Sequence, residues 1–243
     1  MNDATVVILA GGKGARLAPY TTTFPKPLMP IDDMPILEIV LHQLRQCGFT
    51  NIVLSVGHLA ELIVAFCGSG AKWGLNIHYA REDVPLGTIG PLRLVEKPKR
   101  PFIVMNGDLL TDLDYGELYR RHVNKQCLAT VATYRREVNI SFGVLEYDSS
   151  LRITRFVEKP TNPYWVSMGI YVFDPQIVER VPTGRHYGFD DLMKDMLKDS
   201  QKIHAYPFDG LWLDIGRPED YEQAVHTFKT HRDRIMMSGH RPK

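Results

Sequence analysis

The chain has 243 residues, of which 44% are apolar and 23% charged, and its formal net charge is +1. These values are typical of a globular protein and predict one large α/β domain over residues 1–231, followed by a polar, frayed tail over 232–243. The near-zero charge argues against nucleic-acid binding through a global basic field. Three scattered cysteines without a CxxC pair argue against structural zinc and a disulfide framework.

The N-terminus does not have the pattern of a signal peptide, because Asp3 precedes a short apolar run and no basic residue does. No stretch approaches the roughly 18 apolar residues that a membrane span requires. We therefore predict a cytoplasmic protein with no membrane partner. The sequence leaves the oligomeric state open, a homo-oligomer included.

Apolar β-branched runs alternate with helical patterns through the first half of the chain. The predicted strands are 5–9, 51–56, 76–80, 101–108 and 128–134, and the predicted helices are 35–48, 59–68 and 115–126. Asp112 and Asp114 are expected to cap the last of these helices. Alternation of this kind predicts a parallel sheet covered by helices on both faces, with ligands beyond the carboxyl ends of the strands. The loop after residue 9 and Asp108 should therefore meet at one rim.

The second half of the chain does not continue this alternation of strands and helices. Three short strands, 142–148, 153–159 and 165–174, predict a small antiparallel portion. A helix over 187–200, a strand–turn–strand over 203–216 and a helix over 218–231 complete the predicted elements.

The segment between the first strand and the first long helix is predicted to be a stiff, structureless loop that binds phosphates. Its glycines at 11, 12 and 14 allow backbone N–H groups to form an anion-binding concavity. Its prolines stiffen the backbone, and no acidic residue occurs from Ala4 through Ile31. Arg16 and Lys26 add positive charge.

Two common phosphate motifs do not fit this loop. A Walker loop requires Gly-Lys-Ser/Thr, but Lys13 is followed by Gly14. A GxGxxG dinucleotide fingerprint begins at Gly12 but meets Leu17 at its third glycine, which leaves a nicotinamide-dependent oxidoreductase as a weak alternative.

A third motif fits, since GGKGARL (11–17) and FPKPLMPI (24–31) resemble the GGxGxRL and PKP motifs of the sugar-1-phosphate nucleotidylyltransferases. EDVPLGTIGPL, VMNGDLLTDLD, FGVLEYD, FVEKP and WLDIGRPEDY then follow in that family's order. The resemblance is closest to the mannose-1-phosphate guanylyltransferases, in a short form without a C-terminal β-helix. It implies a Rossmann-like (GT-A-type) α/β fold with a mixed, mainly parallel sheet and a small antiparallel sugar-binding portion.

The resemblance also implies a reaction, in which a sugar 1-phosphate oxygen attacks the α-phosphorus of an NTP and pyrophosphate leaves. Arg16, Lys26 and Asp108 would be catalytic, and Asp108 and Asp214 would hold Mg²⁺. The residues expected to contact the nucleotide are Leu9, Ala10, Gly11, Gly12, Gly14, Glu82, Pro85, Gly87, Thr88, Asn106 and Gly107. Those expected to bind the sugar phosphate are Gly143, Glu158, Lys159 and Gly169.

The nucleobase is expected to lie under residues 81–92. Glu82 or Asp83 could accept hydrogen bonds from guanine N1–H and N2–H₂, which favours GTP. Ile89 stands where the family pattern has alanine, so we expect a bulkier side chain to reshape the base pocket.

Several functions remain open at this stage. The first hypothesis is guanylyl transfer from GTP to mannose 1-phosphate. Guanylyl transfer to a heptose 1-phosphate is an alternative, as is thymidylyl, uridylyl or cytidylyl transfer to glucose 1-phosphate. A non-catalytic nucleotide-sugar sensor on the same fold is a remote alternative, since a sensor could lose the catalytic side chains that are present here.

Overall fold

A seven-stranded mixed sheet forms the centre of the computed structural model, which describes residues 3–237. The strands are β1 (Thr5–Leu9), β2 (Pro30–Ile31), β3 (Met34–Pro35), β4 (Asn51–Val56), β5 (Asn76–Arg81), β6 (Phe102–Asn106), β7 (Leu109–Thr111), β8 (Ala129–Asn139), β9 (Val144–Tyr147), β10 (Ile153–Val157), β11 (Thr161–Phe173), β12 (Ile203–Phe208) and β13 (Trp212–Asp214). The helices are α1 (Tyr20–Thr23), α2 (Ile36–Gln46), α3 (Ala60–Cys67), α4 (Tyr115–Lys125), α5 (Ile177–Arg180), α6 (Phe189–Lys198) and α7 (Pro218–Met236).

The strand order of the central sheet is β12-β8-β11-β6-β1-β4-β5. Neighbouring strands run parallel except around β11, which is antiparallel to both β6 and β8. Since β1, β4 and β6 are parallel neighbours, their carboxyl ends meet at one edge. The predicted mixed, mainly parallel α/β sheet is confirmed.

Both faces of the sheet are buried, as the continuous apolar run of β1 predicts. Val6 and Ile8 point into a core that also contains residues of α2, α3 and α4. Val7 points to the opposite face and packs in a second core with residues of α5 and α6. Helices therefore cover both faces and leave the strand ends as the place for a site.

The loop after β1 is more structured than the sequence predicts. Short 3₁₀ turns at Ala15–Leu17 and Lys26–Leu28, with α1 between them, replace the expected structureless run. Leu17 and Lys26 are buried, so the loop packs against the domain and does not extend into solvent.

The predicted antiparallel portion is larger than expected. β8 and β11 pair from Ala129↔Phe173 to Asn139↔Thr161, so both strands continue well past the predicted 128–134 and 165–174. β9 and β10 form a separate two-stranded sheet between them in the chain. The outer halves of β8 and β11 are mostly exposed and lack the continuous buried apolar run of the inner halves.

Two predictions near the chain end and near α4 need correction. Residues 232–236 continue α7, so the tail predicted to fray from Arg232 is wrong there, and Ile235 is completely buried. Asp114 caps α4 as predicted, by accepting a 2.9 Å hydrogen bond from Glu117 N. Asp112 does not cap that helix; it is buried and pairs with Arg234 of α7.

Within residues 3–237, no helix combines the length and the apolar character needed to cross a bilayer.

The burial of His122 in α4 is expected to make the stability of the fold depend on pH. Its ring is buried and its Nδ1 lies 2.9 Å from Thr130 Oγ1. Burial lowers the pKa of His122 from 6.5 to about 4; the nearby Asp174 carboxylate opposes this shift and His204 adds to it. The folded state therefore resists a protonation that the unfolded chain accepts, and stability is lost as the pH falls from 6.5 towards 4.

We expect this group to contribute a loss of about 3 kcal/mol in the free energy of unfolding over that interval, since each pKa unit corresponds to about 1.4 kcal/mol. Urea unfolding of wild type and His122→Asn at pH 7 and pH 4 measures the difference. His78→Asn, which changes an exposed histidine, is the control. An equal pH dependence in all three proteins would contradict the assignment.

Candidate active site

The glycine-rich loop lies across the carboxyl ends of β1 and β4. Ala10 N donates to Ser55 O at 2.8 Å, and His58 N donates to Gly11 O at 3.2 Å. A Cβ on Gly11 would stand 2.5 Å from Glu82 Oε1 and 3.3 Å from Gly57 N, so a larger residue there would displace the Glu82 carboxylate. Gly14 has a φ of +60°, and its carbonyl accepts a 2.9 Å hydrogen bond from Thr21 Oγ1. These contacts fix the loop against the sheet edge.

The loop forms one wall of a cleft of about 950 Å³. The predicted site residues that line this cleft are Leu9, Ala10, Gly11, Gly12, Gly14, Arg16, Lys26, Glu82, Pro85, Gly87, Thr88, Asn106 and Asp108. Gly107 lies behind the lining, where its N–H donates to Leu9 O at 2.9 Å. Most of the residues predicted to contact the nucleotide therefore line one cleft, and their role in nucleotide binding stays a prediction.

Asp108 and Asp214 are brought together by a strand pair outside the central sheet. β7 and β13 run antiparallel with Asp214 opposite Leu109, and Ile215 N donates to Asp108 O at 3.2 Å. The side chain of Asp214 is open to solvent, yet partial desolvation and the Asp108 carboxylate raise its pKa. Lys26 and Arg16 act in the opposite direction on the same pKa. All four charged groups therefore share one electrostatic environment.

The two carboxylates fit a magnesium ion. Lys26 Nζ donates to Asp108 Oδ2, while Asp108 Oδ1 is buried without a hydrogen-bond partner in the described structure. A buried carboxylate oxygen without a donor is ready for a cation. Residues 3–237 contain no cluster of three or more potential metal-ligating side chains, but Mg²⁺ often takes one or two carboxylates and completes its shell with water and substrate phosphates.

Arg16 lies beside Gly216, two residues after Asp214. Its guanidinium atoms would stand 3.3–3.4 Å from a Cβ at Gly216. Gly216 N donates to Asp214 O at 2.9 Å, so the Asp214–Gly216 turn both contacts the Arg16 guanidinium and positions the Asp214 carboxylate. Any larger residue at 216 would push the guanidinium aside.

The loop over residues 82–90 forms another wall of the cleft and is held in place by the segment before α6. Tyr187 N donates to Leu86 O at 2.8 Å, and Tyr187 O accepts from Ile89 N and Gly90 N, each at 3.0 Å. Phe189 N donates to Thr88 Oγ1 at 2.8 Å. These hydrogen bonds fix the position of the loop over the cleft.

Four features at this loop differ from the sequence analysis or were absent from it. Ile89 is completely buried in the second core, so the expectation that it reshapes the base pocket is wrong. Glu82 holds the loop, since its carboxylate accepts from Ser55 Oγ at 3.0 Å and from Leu86 N at 3.1 Å. Asp83 is exposed and lines the cleft. The ring of His186 packs against Gly87, about 3.0 Å from the position of a Cβ there.

Some lining residues were missed by sequence reasoning. They are Lys13, Ala15, Pro27, Gly57, His58, Val84, Pro91, His186 and Gly216. Gly57 and His58 directly follow β4, and their position at a parallel strand end was a usable signal. His186 carries no such signal, because it reaches the cleft through the contact of its loop with residues 86–90.

The predicted sugar-phosphate residues are divided between two places. Gly169 has a φ of +73° and abuts the side chain of Asn106, which lines the cleft. Gly143 lies beside Glu158 on the β9–β10 hairpin, and Glu158 and Lys159 form an exposed 3.8 Å ion pair. Gly143, Glu158 and Lys159 are not among the described residues that line the cleft, so their sugar-binding role stays a prediction.

Residues 5–231 match the family model described as nucleotidyl transferase, and the chain belongs to that family. It is 35% identical over 239 residues to a UTP–glucose-1-phosphate uridylyltransferase from Synechocystis sp., covering 90% of this chain and 62% of that protein. It is 32% identical over 226 residues to a mannose-1-phosphate guanylyltransferase from Mycobacterium tuberculosis, covering 90% and 63%. The chain thus spans under two thirds of these curated relatives.

Solved structures show the same fold at nearly full length on both sides. HddC from Yersinia pseudotuberculosis, complexed with GMP-PN, superposes with a TM-score of 0.71 and 28% identity, covering 93% of this chain and 99% of that one. A structure from Bacillus anthracis described as a glucose-1-phosphate thymidylyltransferase gives a TM-score of 0.74 and 26% identity, covering 92% and 94%.

Proposed function

We propose that this protein transfers a nucleotidyl group from an NTP to a sugar 1-phosphate in a Mg²⁺-dependent reaction. The observation that supports this most directly is that Arg16, Lys26 and Asp108 line the cleft beside the glycine-rich loop, while β13 brings Asp214 close enough for all three to act on its pKa. Family membership and relatives named for such transfers agree with it. The proposal therefore rests both on the geometry of the site and on membership in the family.

The chemistry needs no protein nucleophile. An anionic oxygen of the sugar 1-phosphate forms the new bond to the α-phosphorus, and the bond from that phosphorus to the bridging oxygen breaks as pyrophosphate leaves. Lys26 and Arg16 supply positive charge where negative charge accumulates, and the loop backbone fixes the triphosphate. Bound between Asp108 and Asp214, Mg²⁺ would neutralise phosphate charge and orient the oxygens.

Arg16→Ala and Lys26→Ala are each expected to lower kcat by roughly 10²–10³-fold, the usual effect of removing one preorganised charge stabiliser. Pyrophosphate release under saturating substrates measures kcat. Lys125→Ala, which removes an exposed cation at the end of α4, is the control and should leave kcat unchanged. Wild-type kcat in either variant would remove that residue from the mechanism.

We propose GTP as the nucleotide. Asp83 supports this choice, because an exposed carboxylate in the cleft can accept both guanine N1–H and N2–H₂, whereas uracil and thymine place carbonyl acceptors beside their single N–H. The fold relative complexed with GMP-PN is consistent with it. Glu82, already bonded to Ser55 and Leu86, is the less suitable reader.

Asp83→Asn is expected to lower kcat/KM for GTP by about 10–100-fold, the value of a hydrogen bond to a charged group, with little change for UTP. Glu82→Gln should instead reduce kcat/KM for every NTP alike, because Glu82 holds the loop. Steady-state assays with four NTPs measure both. A GTP:UTP ratio unchanged by Asp83→Asn would contradict the assignment.

We propose mannose 1-phosphate as the acceptor, with a heptose 1-phosphate as the next candidate. Relatives named as mannose-1-phosphate guanylyltransferases support the first. A grid of NTPs against sugar 1-phosphates, followed by pyrophosphate release, tests base and sugar together. Release with UTP or dTTP and glucose 1-phosphate alone would overturn both choices, and no release with any pair would favour the non-catalytic sensor.

A further inference from the structure

The turn that follows β4 is pressed against the glycine-rich loop. A Cβ on Gly57 would stand 3.1 Å from Gly11 O, so the two backbones are nearly in contact. The next residue, His58, donates its backbone N–H to the same oxygen at 3.2 Å. Gly57, His58 and Gly11 all line the cleft. The end of β4 and the start of the loop therefore form one continuous wall.

The residue after His58 has a strained backbone. Leu59 has a φ of +54° and a ψ of +34°, in the left-handed region where a bulky residue is an outlier. Such conformations persist when the surrounding structure fixes them, and they occur often at functional sites. Since α3 begins directly after Leu59, the strained residue sets the direction in which His58 meets the loop.

The imidazole of His58 makes a second contact with the loop. Its Nε2 lies 3.3 Å from Thr21 O. A carbonyl oxygen only accepts hydrogen bonds, so Nε2 carries the proton and donates it. Thr21 is buried, and its Oγ1 donates to Gly14 O at 2.9 Å. A chain of two hydrogen bonds thus runs from His58 through Thr21 to Gly14.

The two contacts of His58 enclose the part of the loop that faces the cleft. They fall at Gly11 and Thr21, and residues 11–16 between them all line the cleft. A Cβ on Gly14 would stand 2.9 Å from Thr21 Cγ2 and 3.3 Å from Lys26 Cβ, so Thr21 packs directly against this glycine. The hydrogen-bond chain therefore supports the loop at the glycine with a φ of +60°.

We propose that His58 is a positioning residue for the NTP, which fixes the glycine-rich loop before the triphosphate binds. This role rests on the proposed function, because it is the loop backbone that is expected to hold the triphosphate. His58 acts through Gly11 and Thr21 and does not itself contact the nucleotide. A loop that is already ordered does not have to be ordered during binding, so the NTP binds more tightly.

The kinetic effect of His58 is expected to differ from that of the catalytic cations. Lys26 donates to Asp108, and the guanidinium of Arg16 abuts Gly216, so both cations have contacts of their own. Loss of the hydrogen-bond chain should therefore weaken NTP binding in the ground state and the transition state alike. Such a loss raises KM and leaves kcat nearly unchanged.

Two substitutions of His58 test the proposal with the NTP and sugar 1-phosphate that give the wild type its fastest pyrophosphate release. The amide nitrogen of asparagine stops near the position of Nδ1, whereas that of glutamine reaches the position of Nε2. We expect His58→Asn to raise KM for the NTP about 3–10-fold, the factor that corresponds to one neutral hydrogen bond. His58→Gln should restore KM to near the wild-type value, and kcat should stay within about twofold in both variants.

The control for the asparagine substitution is His78→Asn, at an exposed histidine of β5. It should leave KM for the NTP unchanged. Thermal unfolding confirms that each variant is folded.

Thr21→Val tests the middle of the hydrogen-bond chain, because it removes the hydroxyl and keeps the shape of the side chain. It should raise KM for the NTP by a factor similar to that of His58→Asn. Thr22→Val, at the exposed neighbour in α1, is the matched control and should have no effect. Because both substitutions interrupt the same chain, their effects in the double variant should not multiply.

Three results would overturn the role of His58 while wild-type turnover stays intact. They are an unchanged KM in His58→Asn, independent effects of the His58 and Thr21 substitutions, and a rise in His58→Gln as large as that in His58→Asn. The last of these would mean that the imidazole contacts the nucleotide itself. A wild type that releases no pyrophosphate with any substrate pair would instead overturn the proposed function, and the role of His58 with it.

Discussion

Replacing Asp108 with Asn is expected to lower magnesium-supported kcat by about 10³-fold or more, since an amide supplies neither the charge nor the second anionic oxygen of the carboxylate. Asp108 Oδ1 is buried without a partner, and Oδ2 accepts from Lys26. The substitution therefore weakens the cation site and the position of Lys26 at once. Initial rates over a series of Mg²⁺ concentrations measure the effect.

Asp214→Asn is expected to give a loss of similar size, and the double variant should lose little more than either single one, because the two carboxylates act as a unit. Asp209→Asn, an exposed aspartate in the turn before β13, is the control for the substitution itself. Wild-type dependence of the rate on Mg²⁺ concentration in Asp108→Asn would show that this carboxylate does not hold the ion.

The meeting of the glycine-rich loop and Asp108 in one cleft was predictable because its signals are local. Each parallel strand is a short apolar run, and the residues that follow β1 and β6 must meet at the same sheet edge. Arg16, Lys26 and Asp108 therefore converge by topology. Asp214 was identified from resemblance to a family, because its approach depends on the β7–β13 pair, which has only three residues in each strand.

The features that the sequence did not reveal depend on contacts between distant segments. Glu82 and Asp83 are adjacent acids with the same local pattern, and only the positions of Ser55 and Leu86 separate their roles. Ile89 lies in the second core because hydrogen bonds to Tyr187, in the segment before α6, hold its loop against the domain. A single sequence contains no pattern that ranks such contacts.

The contacts made by the end of α7 were also not visible in the sequence. They give the second prediction with a large expected effect. A chain that ends after His231 is expected to lose roughly 4 kcal/mol or more of unfolding free energy relative to one that ends after Met237. The truncation removes Arg234, which donates to the buried Asp112, and losing this half-exposed partner costs about 2–3 kcal/mol, below the range for a fully buried pair. It also removes the buried Ile235, worth about 1.5–3 kcal/mol.

The same truncation removes one of the two acceptors of a buried amide, since Gln43 Nε2 donates to both Thr111 O and Ile235 O at 2.7 Å and only Thr111 O remains. Asp112 accepts from Leu211 N at 2.6 Å, next to the β7–β13 pair that carries both candidate magnesium ligands. We therefore expect the shorter chain to lose activity together with stability.

A double-mutant cycle separates these contributions in the chain that ends after Met237. Arg234→Met alone should cost about 2–3 kcal/mol, below the range for a fully buried pair because the arginine is half exposed. Adding Asp112→Asn should restore part of that loss, since it removes the buried negative charge that Arg234 balanced and keeps an acceptor for Leu211 N. Urea unfolding monitored by tryptophan fluorescence gives each free energy. Additive losses from the two substitutions would mean that the ion pair does not fasten α7 to the site.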